Sequence, residues 1–153
     1  MTDAQRIEIP TAAEAAMRAH SEATYPYEAC GAIFGRGDGI GSHWQVTGVE
    51  PAPNDHADDQ RVRYLVSPAF QAAAGQRALA SGEDVIGSYH SHPEDVARPS
   101  AYDRTHAWVG YAYLIYSVRS GRAVAFNAFT LDDQGGTFHG VAVGGSPSTQ
   151  PES

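Results

Sequence analysis

The run Tyr111 to Val118, YAYLIYSV, is the most β-prone stretch of the chain, and a strand of that composition is stable only beside hydrogen-bonded neighbours. Those neighbours are legible on both sides of it. Val85 to His90 (VIGSYH) has the composition of a buried strand, Ala123 to Leu131 follows a Ser120-Gly121 turn, and Thr137 to Val143 reads as a last strand. Further upstream, Cys30 to Phe34 and Trp44 to Val49 read as two short strands separated by the hairpin-like GRGDGIGS, and Arg63 to Ser67 (RYLVS) alternates as a half-buried strand does. Helices fall between these strands. Thr11 to Thr24 is rich in Ala and Glu with no internal Gly or Pro, and stops at Tyr25-Pro26. Pro68 opens a second helix that runs through AFQAAAGQRALA to Ser81-Gly82, and Ser100 to Trp108 forms a short third one. The order of elements predicts the α/β class, with a mixed central β-sheet flanked by helices. A chain of 153 residues fills one core and is too short for two ordinary domains. We therefore read a single domain over residues 1–143 and a polar, Pro-bearing tail over 144–153 that is expected to be disordered.

A formal net charge of -8 leaves no basic stripe to follow a phosphate backbone, which argues against nucleic acid as a partner. No apolar run approaches the roughly 18 residues of a spanning helix, and MTDAQRIEIP lacks the basic and apolar regions of a signal peptide. The expected setting is the cytoplasm, with no membrane partner. All ten cationic residues are Arg and none is Lys, a bias that fits a GC-rich bacterial genome. The lone cysteine, Cys30, excludes an internal disulfide and a thiolate zinc cage, so a metal in this chain must be held by His and carboxylate. Cys30 itself reads as a small apolar packing group, because Gly31, Ala32 and Ile33 offer it no cation.

The chemistry sits in YHSHPEDVARPSAYD, residues 89–103. In an extended segment, side chains two apart share a side, so His90 and His92 aim two imidazoles at one point while Ser91 faces away. Pro93 ends the strand, and Asp103 returns on the first turn of the next helix as an oxygen ligand. Two His and one carboxylate leave a fourth tetrahedral position for water, the mark of a catalytic rather than a structural zinc site. Such a zinc lowers the pKa of water toward ~7 and polarises a carbonyl, and a neighbouring carboxylate then carries the proton to the leaving amine. Glu28, at the entry to the first strand, is the candidate base, and Ser100 the candidate donor to a developing oxyanion. Each has a plainer reading: Ser100 and Asp103 also fit a helix capping box, and Glu28 a solvated loop acid. His20, His43, His56, His106 and His139 fit no ligand spacing.

Taken together, Glu28, His90-Ser91-His92-Pro93, Ser100 and Asp103 resemble the JAMM motif of the MPN+ metalloprotease family, with seven residues between His92 and Ser100 and two between Ser100 and Asp103. Glu28-Ala29-Cys30-Gly31 and Ala32-Ile33-Phe34-Gly35 resemble the family's first strand, and the likeness covers roughly residues 10–132. The resemblance implies the MPN/JAMM, cytidine deaminase-like architecture and one Zn2+ per chain on His90, His92 and Asp103. It also implies Glu28 as the base that holds the water and Ser100 as the stabiliser of the tetrahedral intermediate. The chain has little room for the insertions that grip two ubiquitin moieties, and so is closest in kind to the compact bacterial branch. That branch implies an amide hydrolase acting at the C-terminal Gly-Gly of a ubiquitin-like, β-grasp sulfur-carrier protein. A non-catalytic scaffold of the same fold, a closed metal-binding module and a RadC-like protein are the alternatives; the first would lack ligands, the second would add a fourth, and the third differs in the residues after His92. The loop from Pro93 to Pro99 reads as a substrate-contacting flap, and whichever of Tyr111, Tyr113 and Tyr116 are exposed as a surface for a homodimer, alternate members of that strand packing in the core.

Overall fold

A computed structural model describes residues 5–132 and 136–144 of the chain. Its elements are β1 (Arg6–Glu8), α1 (Thr11–Thr24), β2 (Cys30–Gly37), β3 (His43–Ala52), α2 (Pro68–Ala80), β4 (Asp84–Pro93), α3 (Ala101–His106), β5 (Ala112–Arg119), β6 (Arg122–Leu131) and β7 (Phe138–Gly144). The strands follow the order β1-β3-β2-β4-β5-β6-β7 and close into a barrel. The sheet is mixed, as expected. β2 pairs antiparallel with β3 and β4, β5 with β6, and β6 with β7. β4 and β5 run parallel, with α3 inside the crossover that joins them.

Closure into a barrel goes beyond the expected mixed central sheet, and its cause is a strand that carries no sequence signal. β1 is three residues long, too short to show periodicity, yet it runs parallel to both β3 and β7, with Arg6 opposite His43 on one side and Ala142 on the other. The first element is therefore a strand and not α1. Ile7 and Ile9 are fully buried, and they enter the main core with Met17 of α1, Ile33, Val46, Tyr89, Leu114, Tyr116 and Phe126. α2 covers β2 and β4, burying Ala74 and Ala78. Every residue of β5 from Ala112 to Val118 is buried. Of the three tyrosines considered for an interface, Tyr113 and Tyr116 lie in the interior, and Tyr111, just ahead of β5, is half-buried.

Arg63 to Ser67 is not a strand of the sheet. Its backbone meets the preceding loop through one Asp55 N–H to Leu65 O bond of 2.9 Å, and otherwise through the Asn54 side chain, so no ladder forms. β4 runs on through Ser91, His92 and Pro93 because β5 supplies a parallel partner to its end, with Pro93 opposite Val118. α3 stops at His106, two residues short of the expected Trp108. Of the tail assigned to 144–153, Gly144 closes β7, and the remainder lies outside the described residues. Among the described residues no helix is long and apolar enough to cross a membrane.

Two glycines fit the chain tightly around the strand that matters. A Cβ on Gly87 would run into the carbonyl of Ala112 on β5, and one on Gly31 into the ring of Tyr89. Both positions require the bare backbone for β2, β4 and β5 to lie side by side.

Candidate metal centre

β4 ends with His90 and His92 on one side of the strand, and both are buried. Their Nε2 atoms approach to 3.1 Å, and Asp103 Oδ2 lies 3.2 Å from His90 Nε2 and 3.1 Å from His92 Nε2. Asp103 reaches this point because Ser100 starts α3. The Ser100 hydroxyl accepts from the Asp103 N–H at 3.1 Å, and the Asp103 carboxylate accepts from the Ser100 N–H at 2.9 Å. The capping-box reading of these two residues is thus correct, and the cap is what aims the carboxylate. Ser100 is exposed and uses its oxygen as an acceptor here, which leaves its own proton free to be donated.

Three donor atoms 3.1–3.2 Å apart match the edge of a tetrahedron of zinc ligands, about 3.3 Å for bond lengths of about 2.0–2.1 Å. The chemistry of the set fits as well, being two imidazoles and one carboxylate in a buried spot. Among the described residues no fourth His, Cys, Asp or Glu joins them, so the set is open. His92 Nδ1 lies 2.8 Å from the Val96 carbonyl and donates its proton there, which leaves Nε2 as a lone pair aimed at the centre. Burial holds the His90 pKa below its ordinary value and so favours the neutral ligand form. Burial opposes ionisation of Asp103, yet His90, His92 and the Ser100 N–H together hold its carboxyl well below the usual carboxylate range.

Glu28 precedes β2. Cys30 pairs with His90, and continuing that antiparallel register by two residues brings Glu28 opposite His92. Ser91, which the sequence reading set aside as facing away, locks this entry: its N–H donates to Ala29 O at 3.0 Å and its Oγ accepts from Ala29 N–H at 2.8 Å. Glu28 is 5% exposed, and its Oε1 is buried with no hydrogen-bond partner among the described residues. Burial pushes its pKa up to about 8, against the pull of His92. It is not a solvated loop acid. Cys30 is buried and packs as expected, with burial pushing its thiol up to about 12.

The other histidines stay away from the centre: His20 faces the Tyr89 hydroxyl at 2.7 Å, His139 faces Asp132 at 2.9 Å and His43 lies 3.5 Å from Asp38. His56 and His106 each pack against Tyr102. The 93–99 loop is fastened rather than free. Glu94 N–H donates to Val118 O at 2.7 Å, the Glu94 carboxylate accepts from the Ser120 N–H at 2.7 Å, and Asn127 Nδ2 donates to Ala97 O at 3.0 Å. Between these anchors Asp95, Val96 and Arg98 stay exposed. Tyr64, unmarked in the sequence, stacks on His90 with ring centres 4.4 Å apart. It also lines an apolar cavity of about 550 Å3 between α2 and the sheet, walled further by Phe70, Ala74, Trp108 and Tyr111. The ligand triad lies outside that cavity, and Tyr64 is the residue common to both.

Comparison with known proteins agrees with this geometry. The sequence model for prokaryotic homologs of the JAB domain matches residues 10–132. The desampylase of Haloferax volcanii is 40% identical over 93 residues, which are 60% of this chain and 63% of that protein. The match therefore spans less than two thirds of the relative's own length. Among solved structures, a protein from Desulfitobacterium hafniense superposes with a TM-score of 0.75 at 29% identity, covering 90% of each chain. One from Salinibacter ruber gives 0.68 at 31% identity, covering 95% of this chain and 94% of its own.

Proposed function

The chain belongs to the prokaryotic JAB-domain family, and on that premise we propose that it is a zinc-dependent peptidase or isopeptidase, hydrolysing an amide bond after the C-terminal Gly-Gly of a ubiquitin-like or sulfur-carrier protein. The observation that carries the reading is the open triad of His90, His92 and Asp103 beside a buried, unpartnered Glu28 oxygen. The name of the Haloferax relative supports a ubiquitin-like modifier as the partner, and its hydrolase character supports the activity.

In this reading His90, His92 and Asp103 hold the zinc. When bound, zinc supplies a Lewis acid for the scissile carbonyl and makes water a stronger acid. Glu28 accepts the proton of the attacking water and delivers it to the leaving amine. Its carboxyl is buried at the entry to β2 with one oxygen that has no hydrogen-bond partner among the described residues, so that oxygen is free to take up a proton. Ser100, exposed at the head of α3, donates its hydroxyl proton to the oxygen that gains charge as water adds. His92 is kept in its ligand tautomer by Val96, and Ser91 keeps Glu28 at the strand entry.

The test is Glu28→Gln, a near-isosteric change that removes the base and none of the three ligands. The variant is expected to keep zinc and to lose at least about 100-fold in turnover, the usual range for a general base. Undiminished cleavage would remove Glu28 from this role.

A further inference from the structure

Two of the three candidate ligands are oriented by hydrogen bonds from outside the triad, and the third is not. His92 is held by the Val96 carbonyl at 2.8 Å and Asp103 by the Ser100 N–H at 2.9 Å. Among the described residues His90 has no such anchor: its Nδ1 is buried without a hydrogen-bond partner there. Metal-bound histidines ordinarily donate that second N–H, which fixes the ring plane. With no such bond, the terminal torsion of an imidazole is soft unless packing holds it.

The group packed on it is Tyr64. Its ring lies over the His90 imidazole at 4.4 Å between centres, with only 21° between planes. Tyr64 belongs to no helix or strand, so something must hold it there, and that is Asn54. Asn54 Nδ2 donates to the Arg63 carbonyl at 3.0 Å, and its Oδ1 accepts from the Leu65 N–H at 3.1 Å, so the backbone is clamped on both sides of Tyr64. The same Nδ2 donates to the Glu28 carbonyl at 3.2 Å. One amide therefore ties the tyrosine over the ligand to the backbone of the candidate base.

We propose that Tyr64 is a positioning residue for the metal ligand His90, its stacked ring replacing the missing hydrogen bond on Nδ1, and that Asn54 sets Tyr64 and Glu28 from one point. The inference rests on the metallohydrolase reading above. The work belongs to the aromatic face and not to the hydroxyl, so Tyr64→Phe should behave as wild type while Tyr64→Leu should not.

The experiment compares wild type, Tyr64→Phe, Tyr64→Leu and Asn54→Ala, stripped of metal and then titrated with zinc against a chromophoric chelator. Each is also loaded with cobalt(II) for its visible spectrum, and melted without metal. We expect Tyr64→Phe to match wild type, and Tyr64→Leu to bind zinc about 10–100-fold more weakly with altered cobalt bands, the range found when a partner that orients a ligand is lost. Asn54→Ala should shift affinity and spectrum in the same direction with Tyr64 still present, which keeps the inference open to refutation if Tyr64→Leu does not fold. Lower melting temperatures with wild-type zinc affinity and cobalt spectrum in both variants would overturn it, because the role would then be structural only. A wild-type chain that takes up no zinc would overturn the metallohydrolase reading as well, so the wild type separates the two failures.

Discussion

Glu28 is a carboxyl buried to 5% exposure with one oxygen lacking a partner, and its burial has a thermodynamic signature that needs no substrate. Its pKa stands at about 8 in the folded chain against 4.5 ordinarily. A carboxyl raised on folding contributes stability that is fully present below pH 4.5 and is lost as pH climbs through 8, because the unfolded chain gives up the proton first. Metal-free Glu28→Gln, which has no such proton to lose, should therefore gain on wild type by a few kcal/mol between these pH values and stay level above them. Chemical denaturation of the two metal-free proteins from pH 4 to 9 checks this; a difference that does not change with pH would contradict it. The site was legible at this scale because two His and an Asp at fixed spacing carry their own geometry. Ser91 was not, because a hydroxyl between two ligands gives no sign that it bonds the backbone of the neighbouring strand. Asn54 and Tyr64 were not either, lying 36 and 26 residues ahead of His90, and the alternation around Tyr64 gives no sign of the ring it packs on.

Among the elements, β4 carries the most, since it bears two ligands, pairs with β2 on one side and β5 on the other, and touches β5 where neither can move. Gly87→Ala would place a Cβ against the Ala112 carbonyl, a backbone atom that cannot rotate aside. We expect it to cost at least about 1–3 kcal/mol, as overpacking in a filled interior does. A urea midpoint unchanged from wild type would show that the strands can separate at no cost. α1 and α2 were read from composition and punctuation with the bounds the structure shows, because Ala-rich runs between Pro10 and Pro26 and between Pro68 and Gly82 leave little choice. β1 was missed since three residues have no period, and Arg63 to Ser67 was misread since alternation alone does not provide a ladder partner.

For the whole molecule, the connection that makes the site is the parallel pair β4 and β5. A parallel pair needs a crossover, the crossover contains α3, and α3 begins with the residues that return Asp103 to the end of β4. The triad thus lies at the carboxyl end of β4, where the crossover begins. Mixed pairing was legible in the order of elements, whereas closure was not, because it depends on β1 meeting β7 at the far end of the chain. Next to the site residues in the chain, Tyr27 beside Glu28 and Val96 in the loop after His92 are exposed apolar side chains.

The most direct measurement is metal content by mass spectrometry on wild type and His92→Ala, with cleavage of a ubiquitin-like carrier extended beyond Gly-Gly followed in the same samples. The account predicts about one zinc per wild-type chain, lost together with cleavage in the variant. A wild type that remains empty after incubation with zinc, or a His92→Ala chain that still cuts, would contradict it.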